Sequence, residues 1–167
     1  MATLPQQDLT AATHPVPAVR SYSAASAEGC CNWEGVEVRP YKEEGTHFKG
    51  ITRQTLFRGA HDLGVELRYF EVAPGGYSSL ERHEHTHLVI VLSGEGEVMV
   101  GDKVYSLSWH DLVHIPPMTW HKFRAKSACP LGFLCTVAAV RDVPQRPNDE
   151  ELAAFGSLDE VKDFFRV

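Results

Sequence analysis

The chain has 167 residues, 43% of them hydrophobic, which suffices for one domain with a buried core and is too short for two enzyme-sized domains. A formal net charge of −6, with no stripe of Lys and Arg, excludes a general nucleic-acid surface, because such surfaces work by displacing phosphate counterions. No apolar run reaches the roughly 18 residues of a membrane-crossing helix.

Residues 1–32 are rich in Ala, Ser, Thr and Pro and carry no apolar period, so a mobile tail is expected there. The tail lacks the apolar stretch of a signal peptide. The four cysteines form no disulfide framework, since Cys30 and Cys31 are adjacent and Cys129 and Cys135 lie in the second half. A reducing, cytoplasmic location is therefore expected. Order is expected from Trp33. Extended segments are predicted at 36–41, 48–57, 65–73, 87–92, 95–100, 104–107, 112–115, 121–125 and 131–140, where β-branched and aromatic residues cluster. Pro74-Gly75-Gly76, Ser93-Gly94, Gly101-Asp102, Trp109-His110-Asp111 and Pro116-Pro117 supply the turns, and Gly101-Asp102 reads as a tight hairpin. Many short strands at this spacing predict an all-β sandwich or barrel. The end of the chain differs. Asn148 with Glu151, and Ser157 with Glu160, are capping-box patterns ahead of apolar sets, so one or two short helices are predicted, the first stopping at Gly156. Gly94, Gly96 and Gly101 open no helix, which excludes a dinucleotide fingerprint.

The densest chemical feature is Glu81-Arg82-His83-Glu84-His85-Thr86-His87. Alternate side chains of an extended strand point to one face, so Glu81, His83, His85 and His87 are candidates to enter one cavity. Pro116-Pro117-Met118-Thr119-Trp120-His121 supplies a further imidazole, and the pattern reads as one divalent-metal site split over two stretches. Imidazole with carboxylate suits Mn, Fe, Ni or Zn, and three His with one Glu leave two positions of an octahedral ion open to substrate. A merely solvated histidine cluster is the plain alternative, and the second stretch argues against it. His47, His61, His110 and His114 lack ligand spacing and read as surface or turn residues, and Trp33, Trp109 and Trp120 as packing residues.

Residues 75–121 resemble the two metal-binding motifs of the cupin superfamily. Gly75, Glu81, His83, His87 and Gly94 match the first motif in spacing, and Pro116 and His121 match the second. The likeness spans roughly residues 60–140. It implies a cupin double-stranded β-helix, or jelly-roll barrel, over 33–143, followed by a helical extension over 144–167. It also implies Glu81, His83, His87 and His121 as ligands, with His85 in the bend between them. Glu81 stands where most cupins have the first histidine, and His87 where most have glutamate, so the ligand composition is kept with two places exchanged. On the residues alone, a set of His83, His85, His87 and His121 stays open.

In metal cupins of similar spacing, the positions of Arg68, Phe123, Phe133 and Cys135 line the barrel interior, which implies Arg68, Phe123 and Phe133 as substrate contacts. An arginine inside a barrel calls for an anion, a carboxylate or a phosphate. Lys49 or Arg53 could assist it, and Tyr69 is assigned to the outer face. The plain reading of Cys135 is a small buried hydrophobe. The stretches 68–76, 80–85 and 132–135 are similar to the cupins that act as methylthioxylulose-5-phosphate methylsulfurylases, or methylthiotransferases, in methylthioadenosine salvage. That resemblance implies Mn as the metal, 1-methylthio-D-xylulose 5-phosphate as substrate, a thiol such as glutathione as co-substrate, and 1-deoxy-D-xylulose 5-phosphate as product. Cys135 is then the expected reactive thiol and His85 the expected proton donor. Two other activities fit the same donors: a dioxygenase of the quercetinase or acireductone type, told apart by oxygen uptake, and a non-catalytic sugar-binding cupin, told apart by turnover. A homodimer is expected, through Ile90-Val91-Leu92 and the extended segment from Val36.

Overall fold

β-Branched and aromatic residues at alternating positions draw most of this chain into strands. The computed structural model describes residues 17–23, 31–42, 45–60, 62–126, 128–159 and 161–165. In chain order the first strands are β1 (Tyr22–Ser23), β2 (Asn32–Trp33), β3 (Arg39–Pro40), β4 (Lys49–Ala60) and β5 (Leu63–Tyr77). They are followed by β6 (His87–Ser93), β7 (Gly96–Val100), β8 (Lys103–Leu107), β9 (Leu112–Ile115), β10 (His121–Ala125) and β11 (Leu131–Ala138). Among the described residues two helices follow, α1 (Asp149–Gly156) and α2 (Lys162–Phe165).

β5 is the spine of a nine-stranded antiparallel sheet. β4 runs along one edge, with Ile51 opposite Val72 and Ala60 opposite Leu63, and β11 along the other, with Leu131 opposite Val72 and Ala138 opposite Val65. β6 and then β9 extend the sheet beyond β11. The far end of β5 meets β10 at Tyr77 opposite Arg124, and β7 and β8 continue from there. The sheet thus curls around its own inner face. Alternation along β6 and β11 sends Val89, Val91, Phe133, Cys135 and Val137 inward, where they join Phe70, Val72, Val98 and Phe123 in one buried core. Burying each large apolar side chain contributes about 1.5–3 kcal/mol.

The Pro74-Gly75-Gly76 signal does not end β5 as expected. Lys49 pairs with Tyr77 and Ile51 with Val72, so four residues, 73–76, stand against Gly50 alone in a bulge. Turn chemistry re-aims the strand here without ending it. Gly76 is required because a side-chain carbon would meet the carbonyl oxygens of Lys49 and Ala73. The segment expected at 36–41 is reduced to the two residues of β3.

Part of the expected tail is fastened to the barrel. β1 pairs with β2, Tyr22 opposite Trp33, and the Trp33 ring lies 4.9 Å from that of Tyr69. The Cys31 N–H donates to Glu71 Oε2 at 3.1 Å, and Gln54 Nε2 donates to the Cys31 carbonyl at 2.6 Å. Tyr69 therefore points outward yet is only 1% exposed, because this segment covers it. Residues 1–16 and 24–30, Cys30 among them, lie outside the described residues.

The first capping box forms as predicted: Asn148 Oδ1 accepts from the Glu151 N–H at 2.8 Å, and Glu151 Oε2 from the Asn148 N–H at 3.0 Å. The second involves Glu160, which lies outside the described residues. Val161 and Phe164 pack with Leu80 and Met99 over the outer face of β7 and β10, flanked by Trp120 and Phe155. Lys122 is buried beneath them with its Nζ 4.4 Å from the Tyr77 ring centre, and burial, helped by Arg124, lowers its pKa to about 8. Trp109 departs from its expected packing role: it is 65% exposed, beside a turn in which His110 adopts φ 72°.

Candidate metal centre

The histidine-rich stretch is not one continuous strand. Glu81 pairs with His121 through N–H···O bonds of 3.2 and 3.0 Å, and Arg82 with Gln145 through bonds of 3.1 and 2.9 Å. The chain then bends at 84–85 before β6 starts at His87. Met118, held at φ 55°, donates its N–H to the His83 carbonyl at 2.7 Å and ties the second stretch to the first. Partners on both sides replace the regular ladder that simple alternation assumes, and the bend lets consecutive odd-numbered imidazoles stack. The His83 ring lies 4.1 Å from His85 and 4.4 Å from His87, nearly parallel to both.

One ring nitrogen from each of His83, His87 and His121 falls within 4.8 Å of the others. All three residues are buried. The His121 Nδ1 lies 2.9 Å from the Thr119 carbonyl, which can only accept, so Nδ1 carries the proton and Nε2 keeps its lone pair. His87 Nε2 faces His83 Nδ1 at 3.2 Å, and its Nδ1 faces the Cys135 sulfur at 3.3 Å. Burial lowers the His87 pKa far below the ordinary imidazole range, and lowers that of His121 to about 4 against the pull of the Thr119 carbonyl. Three buried imidazoles gathered away from water, with those of His87 and His121 held neutral, fit a divalent metal ion.

Glu81 adjoins this group. Its Oε1 is 3.8 Å from His83 Nε2 and accepts from the Tyr41 hydroxyl at 3.2 Å, while Oε2 accepts from Lys42 Nζ at 2.5 Å. Burial pushes the carboxyl up, but the His83 contact and the Lys42 ammonium prevail and hold it at about 2. Burial and the Glu81 charge raise the Tyr41 phenol above its ordinary range, so it stays a donor.

The cavity around these donors has an apolar wall and a charged one. Phe133 stacks on Phe123 at 4.5 Å and on Phe70 at 5.4 Å. Opposite Cys135 in register is Arg68, 8% exposed, whose Nη2 donates to the Cys135 sulfur at 3.5 Å. Burial raises the Cys135 thiol pKa, and Arg68 opposes the rise in part. His85 borders the same space, its Nδ1 2.6 Å from Asp142 Oδ1. Burial lowers its pKa while Asp142 acts the other way. Burial also pushes the Asp142 carboxyl up, yet the Glu84 N–H and His85 hold it below the ordinary carboxylate range.

Glu81, His83, His85, His87, His121, Arg68, Phe123, Phe133 and Cys135 all line this one cavity. Lys49 does not, and His47, His110 and His114 are exposed elsewhere; His61 lies outside the described residues. Sequence reasoning missed Tyr41, Lys42, Arg141 and Asp142. Tyr41 ends a predicted strand and was open to notice, whereas the other three come from irregular segments with no period.

Residues 68–137 match the family model described as a cupin domain. The chain is 51% identical, over 133 residues, to a protein of Rhodospirillum rubrum named 1-methylthio-D-xylulose 5-phosphate methylsulfurylase, covering 79% of this chain and 85% of the relative. This chain belongs to the cupin family. Solved cupins share its form. A cupin 2 conserved barrel domain protein from Rhodopseudomonas palustris superposes with a TM-score of 0.80 at 44% identity, over 89% of this chain and 99% of that one. A cupin-2 domain protein from Rhodospirillum rubrum superposes with a TM-score of 0.75 at 50% identity, over 80% of this chain and 89% of that one. The curled antiparallel sheet is thus a cupin barrel, and the three-histidine cluster sits in the cavity inside it.

Proposed function

We propose that this cupin is a metal-dependent methylsulfurylase that cleaves the C–S bond of 1-methylthio-D-xylulose 5-phosphate with glutathione, or a similar thiol, to give 1-deoxy-D-xylulose 5-phosphate. The observation that carries the reading is the Cys135 thiol, buried in one cavity with three imidazoles, in a chain half identical to a relative bearing that enzyme's name. Glu81, His83, His87 and His121 would hold one divalent ion, Mn in this reading, with Fe, Ni or Zn compatible with the same donors. When bound, the ion supplies positive charge to the ketose oxygens.

The side chains account for the rest. Arg68 and the His87 ring stabilise Cys135 as thiolate against the upward push of burial. The thiolate attacks the methylthio sulfur, an S–S bond forms, and the C–S bond breaks with its electron pair passing to the carbon fragment as an enolate. His85, steered by Asp142, delivers the proton that turns this fragment into the methyl ketone. The substrate carbon is reduced and Cys135 is oxidised to a methyl disulfide. A glutathione thiolate then takes the methylthio group as a mixed disulfide and restores Cys135. Phe123 and Phe133 exclude water from the reacting sulfur. A reduced Cys135 suits the cytoplasm, and among the described residues no helix is long and apolar enough to cross a membrane. Leu88, Ile90 and Leu112, exposed on the outer face of β6 and β9, support a homodimer.

The test is turnover of the thio-ketose phosphate by Mn-loaded protein with excess thiol. Product formation without oxygen uptake, lost in Cys135→Ser at unchanged metal content, is the expected result. Intact substrate, or a full rate in Cys135→Ser, overturns the reading.

A further inference from the structure

The cavity carries more positive charge than its ion pairs neutralise. Glu66, 2% exposed, is gripped by Arg141 through Nη1 at 3.0 Å and Nη2 at 3.3 Å, and approached by Arg58 Nε at 3.4 Å. Arg68 Nε stops at 3.8 Å from the same carboxylate, beyond a hydrogen bond. Arg53 adjoins them on β4, opposite Phe70 and one inward step from the Thr55–Arg68 pair. Burial and the nearby Arg68 lower its pKa, with Glu66 acting in opposition and Arg141 reinforcing the effect. Among the described residues, the Nε atoms of both Arg53 and Arg68 are buried without a hydrogen-bond partner. Arg141, Arg58 and Arg68 therefore lie within 4 Å of one carboxylate with Arg53 nearby, and Arg68 and Arg141 line the cavity that holds the histidines.

Burying a guanidinium with unmet N–H groups is unfavourable unless an acceptor completes it. Glu66 occupies one edge of Arg141, Arg58 is largely exposed to water, and the buried Arg68 is left with net positive charge on the cavity side. An acceptor with several oxygens and two negative charges suits that charge, and guanidinium forks match phosphate oxygens in pairs. We infer that Arg68 and Arg141, with Arg53 adding charge from β4, form an anion subsite in the cavity wall that takes the phosphate monoester of the substrate. Glu66 is its positioning residue, aligning Arg141 through the two-point contact. The inference rests on the phosphorylated-sugar reading above and names the residues that would recognise the phosphate.

Inorganic phosphate is the probe. Calorimetric titration of the full chain, with and without Mn, should show phosphate binding to the metal-free protein, weakened about 10- to 100-fold in Arg141→Met at unchanged Mn stoichiometry. Because Arg141→Met deprives buried Glu66 of its main contact, the double variant E66Q/R141M and the single variant R53M repeat the measurement in chains whose folding circular dichroism verifies. Phosphate binding that requires Mn, or that is equal in wild type and all variants, overturns the proposal. Where the thio-ketose phosphate is turned over, Arg141→Met should raise its KM and leave the KM for the thiol unchanged. A shift confined to the thiol KM assigns the arginines to the thiol's carboxylates and overturns the proposal. Phosphate binding of the expected pattern, without turnover, retains the subsite and removes the methylsulfurylase reading.

Discussion

Lowering the pH of the metal-free chain from about 7.5 to about 5 is expected to destabilise it by about 2 kcal/mol through His121 alone. The His121 ring is buried and its pKa falls from 6.5 to about 4, with burial as the main cause. In the unfolded chain the same imidazole takes up a proton near 6.5. Between these two values the unfolded state binds more protons, so stability is full above 6.5 and is lost as the pH falls, until the native ring also protonates near 4. His87, lowered further by burial and its neighbouring imidazoles, acts with the same sign. Glu81 adds nothing in this window. Its carboxyl sits at about 2 instead of 4.5, so its contribution is lost only as the pH falls below 4.5. Urea unfolding of chelator-treated protein at the two pH values measures the difference, and His121→Asn should lose that part of the pH dependence. A stability that is flat between them, or a slope unchanged in His121→Asn, would refute the reasoning. Metal-loaded protein should fall more steeply still, because protons then compete with the ion for the same lone pairs.

Phe164→Ala removes a ring that is 2% exposed against Leu80 and Met99, and should lower unfolding stability by about 3 kcal/mol in urea titrations. Gly94→Ala sets a methyl group against the Pro130 carbonyl oxygen at φ 73°, and a loss of about 2 kcal/mol or more is expected by thermal unfolding. Asp142→Asn keeps a side chain of the same shape beside His85 but removes its charge. Steady-state kinetics should show kcat reduced about tenfold, with metal content measured by emission spectrometry unchanged.

The barrel and the three-histidine cluster were legible because each leaves a periodic trace. Inward and outward residues alternate along β6 and β11, and Glu81, His83, His87 and His121 keep fixed offsets from Gly75, Gly94 and Pro116. What stayed hidden depends on contacts between segments distant in the chain. The β1–β2 pair lies in an Ala- and Ser-rich stretch that would read as tail, and only the seat of Trp33 on Tyr69 reveals its packing. Pro74-Gly75-Gly76 carries a true bending signal, yet a bulge and a turn use the same residues, and the pairing of Tyr77 with Arg124 decides between them. Arg141 and Asp142 follow β11 in an irregular segment, and their side chains gain meaning only from Glu66 and His85, more than fifty residues earlier.

A small barrel tolerates this many polar groups only where each finds a complement. Glu81 has Lys42 and Tyr41, Glu66 has Arg141 and Arg58, His85 has Asp142, and His121 Nδ1 has the Thr119 carbonyl. Two kinds of polar group remain turned toward the cavity. The imidazole nitrogens of His83, His87 and His121 gather within 4.8 Å of one another and call for a cation, while among the described residues Arg68 Nε lies buried without an acceptor and calls for an anion. The stacked rings of Phe70, Phe123 and Phe133 bound the same space and lower its dielectric response, which strengthens both attractions. A ligand that carries a negative group to the arginines and neutral oxygens to the histidine side satisfies both walls, and a phosphorylated ketose has that distribution of charge. Cys135 touches Arg68 on one side and His87 on the other, so the methylthio sulfur of such a ligand, one carbon from its ketone and at the end away from the phosphate, would meet the thiol beside the histidine wall.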